Sequence, residues 1–157
     1  MEIQPLNERY YKQINEYILT NWGKPIVTRG NIVKEENLSG FAAFDENMLI
    51  GAILYQIIDL ECEIVVLYSL KENSGVGTRL INAVINAAKL KNCQRVWLIT
   101  MNDNTHAIRY YQKRGFSLKA VHINAFEETR KIKGISENIL GIDDIPVLHE
   151  FEFEMIL

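Results

Sequence analysis

Residues 69 to 78 read Ser69-Leu70-Lys71-Glu72-Asn73-Ser74-Gly75-Val76-Gly77-Thr78 and separate a β-rich run from a helical period. Gly75 and Gly77 let the backbone turn tightly and leave no side chain between its amides and a ligand. The first N–H groups of the helix that follows lack internal partners and point outward along the positive end of the dipole. A phosphate or pyrophosphate suits such amides. An ordinary glycine turn has the same spacing, so the loop alone does not decide. Two nucleotide motifs are excluded. A Walker loop ends in Gly-Lys-Ser/Thr, and Gly77-Thr78-Arg79 lacks the lysine. A dinucleotide fingerprint needs a third small residue where Leu80 stands.

A second stretch reads Asn104-Thr105-His106-Ala107-Ile108-Arg109-Tyr110-Tyr111-Gln112-Lys113-Arg114-Gly115-Phe116. With the glycine loop, it closely resembles the GNAT superfamily of acyl-CoA-dependent N-acetyltransferases. The loop of that family reads Arg/Gln-x-x-Gly-x-Gly/Ala, which Gly75 and Gly77 match. Its later helix reads Asn-x-x-Ala-x-x-(apolar)-Tyr-x-x-x-Gly-Phe. Asn104, Ala107, Tyr110 in the apolar slot, Tyr111, Gly115 and Phe116 match it in register. The motif-bearing part spans residues 63 to 118.

The resemblance implies acetyl-CoA as acyl donor, with no metal, and an amine-bearing acceptor, either a small molecule or a protein amine. Amides from Ser74 through Gly75, Val76 and Gly77 to Thr78 would hold the pyrophosphate. The strand edge at Leu67 and Ser69 would pair with the peptide-like pantetheine arm, as an added strand pairs with an exposed edge. Asn104 would bond the arm from the other side. Tyr111, about two helical turns further on, matches the family tyrosine that approaches the thioester sulfur. A phenol there can protonate the departing thiolate. The alternative for Tyr111 is a core aromatic on the face of Ala107 and Ile108.

A base must take the proton of the attacking amine. Strand alternation places Glu61, Glu63, Val65, Leu67 and Ser69 on one face. If Leu67 and Ser69 face the acyl-CoA groove, both glutamates point to the same cleft. Glu63 is the first candidate and Glu61 the next, against a solvated pair at a strand start. The loop departs from the family at Glu72, which replaces Arg/Gln, and at Asn73, which replaces a frequent glycine. Glu72 is therefore expected to face solvent, with Lys71 or Arg79 supplying positive charge. By the same resemblance Trp22, Arg29 and the loop from Arg130 to Lys133 flank the acceptor side. His122 and His149 read as isolated, and Glu150-Phe151-Glu152-Phe153-Glu154 as a strand with one wet face.

Local patterns supply the elements that position these groups. Asn7 can cap a helix in which Tyr10, Ile14, Tyr17 and Ile18 share a face as far as about Thr20. Trp22-Gly23-Lys24-Pro25 breaks it. Phe41 to Phe44, a turn at Asp45-Glu46-Asn47, and Met48 to Tyr55 read as a hairpin, followed by Glu63 to Tyr68. Val76, Leu80, Val84, Ala87 and Ala88 mark a helix stopped near Asn92. Arg95 to Thr100 is a strand, Asn104 to Arg114 a helix closed by Gly115, and Phe116 to Ile123 and Glu150 to Leu157 are strands. Residues 124 to 149 read as a long loop with a helical turn. The order implies one GNAT-like domain over 1–157. Its α/β fold would be a mixed, mostly antiparallel sheet with helices on both faces, splayed at the acyl-CoA site.

Composition sets the outer limits. The chain has 157 residues, 48% hydrophobic and 24% charged, with a net charge of −3. These values describe a globular domain and argue against a nucleic-acid partner bound through overall positive charge. Cys62 and Cys93 are too few for a disulfide framework or zinc cluster, and neither lies in a nucleophile motif. No apolar run reaches the roughly 20 residues of a membrane span. A soluble cytoplasmic acetyltransferase, possible as a homodimer, is the expectation. A non-catalytic acyl-CoA sensor of the same fold is the alternative.

Overall fold

The computed structural model describes all 157 residues. In chain order the elements are β1 (Glu2–Pro5), α1 (Glu8–Asn21), β2 (Val27–Thr28), β3 (Asn31–Ile32), β4 (Ser39–Asp45), β5 (Met48–Ile58) and β6 (Glu61–Ser69). There follow α2 (Val76–Leu90), β7 (Arg95–Met101), α3 (Thr105–Gln112), β8 (Ser117–His122), α4 (Phe126–Ile132) and β9 (Glu150–Ile156). The β2–β3 ribbon was not read from sequence pattern, and α4 gives a position to the helical turn expected within residues 124 to 149. No helix is long and apolar enough to cross a membrane.

The chain forms two compact units. The first comprises Met1–Gly23, Lys34–Val96 and Leu157; the second comprises Lys24–Val33 and Trp97–Ile156. Apart from β2 and β3, seven strands take part in mostly antiparallel sheet structure. The first unit has the order β1-β4-β5-β6, and the second has β7-β9-β8.

In the first unit, helices cover both sheet faces. Val76, Leu80, Ile81, Val84 and Ala88 recur at helical spacing and are the buried stripe of α2. Gly51 makes their close approach possible: a Cβ there would lie 2.8 Å from both Tyr68 O and Val76 Cγ1. On the opposite face α1 buries Ile14 and Ile18. Its Tyr10 meets Phe44 at 4.7 Å between centroids, and Tyr17 stacks on Tyr68 at 3.9 Å. The expected cap is present, since Asn7 Oδ1 accepts from Arg9 N at 3.1 Å. At its far end α2 reverses with Asn92 at φ +56° and Cys93 N–H on Ala88 C=O, the bond pattern of a left-handed cap.

In the second unit β8 pairs with β9, with His122 opposite Glu150 and Ala120 opposite Glu152. The helix α4 buries Phe126 and Thr129. The β2–β3 hairpin turns through Arg29 and Gly30, both with positive φ (+48° and +74°).

Candidate active site

The glycine loop is shaped by its own side chains. Ser69 Oγ accepts from Lys71 N at 3.2 Å and donates to Lys71 O at 2.8 Å, and Ser74 Oγ donates to the same carbonyl at 2.7 Å. Gly75, at φ +77°, is the N-cap of α2, with no side chain capping the helix and no acid in its first turn. A Cβ at Gly75 would meet nothing within 4 Å. Ser74 and Gly75 are exposed, Gly77 and Thr78 are half-buried, and Val76 is buried against Gly51. Open backbone at a helix start, free of nearby carboxylate in the helix itself, fits a phosphate group. Glu72 is exposed, as expected. The expected cations are occupied: Lys71 pairs with Asp45, and Arg79 Nη1 donates to Met1 O at 2.9 Å. The hydrogen bond and charge of Lys71 hold the Asp45 carboxyl below its usual range.

Strand β6 corrects one sequence expectation. Ser69 lies opposite Gly51, Leu67 opposite Ile53 and Val66 opposite Leu54, but Tyr55 then faces Ile64 and Gln56 faces Glu63. Val65 is the extra residue of a bulge, and a one-residue insertion inverts the side-chain phase beyond it. Glu63 and Glu61 therefore share the face of Val66 and Tyr68, opposite that of Leu67 and Ser69. Glu63 is 4% exposed, and Gln56 Nε2 donates to its Oε2 at 2.8 Å. Glu61 instead pairs with Arg95, Nη2 to Oε2 at 3.0 Å, with its side chain 38% exposed.

The remaining expected residues belong to the second unit. Asn104 caps α3, its Oδ1 accepting from Ala107 N at 3.1 Å, which leaves the amide nitrogen to donate elsewhere. Tyr111 lies on α3 with its ring edge-on to Tyr110 (5.3 Å) and Phe116 (5.7 Å). Burial pushes its phenol well above the usual value of 10.0; Tyr110 adds to the rise and Arg114 opposes it. It is protonated throughout any ordinary assay range.

Sequence reading missed a second cluster in this unit. Glu150 and Glu152, read as the wet face of a strand, are 1% and 4% exposed. Alternating polar and apolar residues normally mark one solvated face, but here both phases of β9 are covered. His122 is not isolated: its Nε2 lies 3.0 Å from Glu152 Oε1. Nor is His149, whose Nδ1 accepts from Asn124 N at 2.9 Å. Arg29 donates its backbone N–H to Glu150 Oε2 at 3.0 Å and its Nη1 to Glu152 Oε1 at 3.2 Å. The guanidinium carbon lies 4.6 Å from the Trp97 ring centroid.

Desolvation raises the Glu150 carboxyl above 4.5, and the Arg29 amide, His122, the Thr129 hydroxyl and the Arg29 charge counter it in part. The folded chain then holds this proton more tightly than the unfolded chain. Its stabilising contribution is complete below the unfolded value and declines as pH rises through the folded value. Melting of Glu150→Gln against wild type between about pH 4 and pH 7 should show the variant gaining relative stability as pH rises. A constant difference would mean the buried carboxylate is fully compensated.

Both cysteines are free and buried. Burial pushes the Cys62 thiol up to about 12 and that of Cys93 also upward, the reverse of an activated nucleophile. No group of three or more His, Cys, Asp or Glu is arranged to hold a metal ion.

Comparison with known proteins agrees with the fold. The sequence profile described as the acetyltransferase (GNAT) family matches residues 4–116. YdhI of Bacillus subtilis (strain 168) is 42% identical over 150 residues, 92% of this chain and 94% of that protein. A 46-residue stretch, 29% of this chain and 30% of the relative, is 39% identical to the spermine/spermidine N(1)-acetyltransferase of the same strain. Among solved structures, a GNAT family acetyltransferase from Elizabethkingia anophelis with acetyl-CoA bound superposes with a TM-score of 0.72 at 20% identity. That match covers 99% of this chain and 97% of the other.

Proposed function

The chain belongs to the acetyltransferase (GNAT) family, and on that premise we propose that it moves the acetyl group of acetyl-CoA to an amine by direct attack. The observation that carries the proposal is the open backbone around left-handed Gly75 at the start of α2. Amides from Ser74 to Thr78 hold the pyrophosphate, and Leu67, Ser69 and Asn104 serve the pantetheine arm.

In the proposed reaction the neutral amine nitrogen attacks the thioester carbon. The C–N bond forms, the C–S bond breaks, and the amine proton passes through water to Glu63, which lies on the face of β6 opposite the Leu67 and Ser69 side chains. Backbone N–H groups of the interrupted β6 ladder can polarise the thioester carbonyl. Tyr111 gives its phenolic proton to the thiolate. Glu61 is the weaker candidate base, because Arg95 already neutralises it. The raised thiol of Cys62 supports attack without an acyl-enzyme. The acceptor is a small-molecule or protein amine, and the reaction is placed in the cytoplasm, where acyl-CoA is available.

Thermal stability with CoA, acetyl-CoA, ATP and NAD at matched concentrations tests this reading. A ligand at about 100 times its dissociation constant adds roughly 2.7 kcal/mol of native stability. At about 2–4 °C per kcal/mol for a chain of this size, the shift is readily measured. A selective rise with CoA species is expected; equal or no shifts would overturn the assignment. A CoA shift without amine-dependent thiol release would instead identify an acyl-CoA sensor, the reading favoured if the engagement of both glutamates precludes base catalysis.

A further inference from the structure

The turn between β7 and α3 reads Asn102-Asp103-Asn104. Its first two side chains are committed to residues 39 to 47 positions later, in a strap over 139–149 that leads into β9. Asn102 Nδ2 donates to Pro146 O at 2.9 Å, while its Oδ1 accepts from Leu148 N and His149 N, both at 2.9 Å. Its backbone N–H donates to His149 O at 3.0 Å. Asp103, 7% exposed, accepts from Ile142 N at 3.0 Å through Oδ2. A Cβ at Gly141 would collide with that same oxygen, so the strap backbone rests directly on the carboxylate.

The strap can serve as an anchor because it holds its own shape. Leu140 and Pro146 form an antiparallel bridge, Gly141 N donates to Ile145 O at 2.9 Å, and Val147 N donates to Ile139 O at 3.1 Å. Asp143 and Asp144, at φ +54° and +58°, turn it back in a conformation that aspartate tolerates. Phe126 N, at the start of α4, donates to Leu148 O at 3.1 Å and ties the strap down from another side.

Asn104 is the third residue of the turn. Its Oδ1 is committed to Ala107 N, and its φ of −83° and ψ of 68° lie outside the helix. The direction of its Nδ2 therefore follows the backbone of the turn. Hydrogen bonds are directional, so those of Asn102 and Asp103 fix that backbone in orientation as well as position, which apolar packing does not.

We propose that Asn102 and Asp103 are positioning residues: by holding the turn against the strap, they aim the Asn104 amide N–H at the pantetheine arm. The inference rests on the acetyl-CoA reading, in which Asn104 donates to that arm. It gives the strap a share of cofactor affinity that the arm feels and the nucleotide end does not.

Calorimetric titration of the full chain with CoA and with 3′-phosphoadenosine 5′-diphosphate, the part of CoA that lacks the arm, supplies the test. Asp103→Ala should weaken CoA binding about tenfold and leave binding of the fragment unchanged. Asp103→Asn keeps an oxygen for Ile142 N and should bind CoA as wild type does. Gly141→Ala leaves the residues of the turn intact but drives the strap off Asp103, and should reproduce the loss. Asn104→Asp keeps the cap on Ala107 N and removes the N–H donor. In that background Asp103→Ala should cost nothing further, because residues acting through one another are not additive. Equal weakening of CoA and fragment, no weakening at all, or an undiminished loss in the Asn104→Asp background would overturn the inference, with CoA binding by wild type still standing. Failure of wild type to bind CoA would instead remove the acetyl-CoA reading, and this inference with it.

Discussion

Tyr111→Phe should lower kcat by about 10²–10⁴-fold, the range for a lost proton donor, with KM for acetyl-CoA unchanged. The substitution removes one oxygen and retains the ring contacts with Tyr110 and Phe116, so the melting temperature should hold. Burial keeps the wild-type phenol protonated well above its ordinary value. Desolvation that disfavours phenolate also disfavours a thiolate formed beside it, so burial does not by itself oppose the transfer. No alkaline fall in kcat should therefore arise from Tyr111 up to about pH 10. A near-normal kcat in the variant would assign Tyr111 to packing alone.

Glu63→Gln is the second large expected effect, again about 10²–10⁴-fold in kcat if the carboxylate accepts the amine proton. The introduced amide can still accept from Gln56, so the fold should be preserved. The deficit should shrink as pH rises, because more of the amine is already neutral and needs the base less. Glu61→Gln makes the contrast. It breaks an ion pair in which Glu61 is 38% and Arg95 12% exposed, and should leave kcat nearly unchanged. Equal kcat losses in the two variants would remove Glu63 as the base.

The two motifs could be read because their chemistry is local. Gly75 needs only its own φ to open the start of α2, and Asn104 needs only the next three residues to cap α3. Helical periodicity similarly revealed the stripe from Val76 to Ala88, since residues one turn apart are neighbours before any tertiary contact forms. The paired strands β4, β5 and β6 were legible for the same reason: short turns join consecutive alternating runs.

The positions of the glutamates were not legible. Alternation along β6 is a correct rule only while pairing is unbroken, and the bulge at Val65 is a property of two strands. It carries Glu61 and Glu63 to the face opposite Leu67 and Ser69. The alternation of β9 likewise says which residues share a face but not what covers that face. Glu150 and Glu152 are buried because the Arg29 turn, more than 100 residues earlier in the chain, and α4 close over them. By itself the sequence determined α1, α2, α3 and the two motifs, all set by neighbours within a few residues. Tertiary structure alone decided which carboxylates are buried and which cations meet them, because long-range packing sets desolvation and charge pairing.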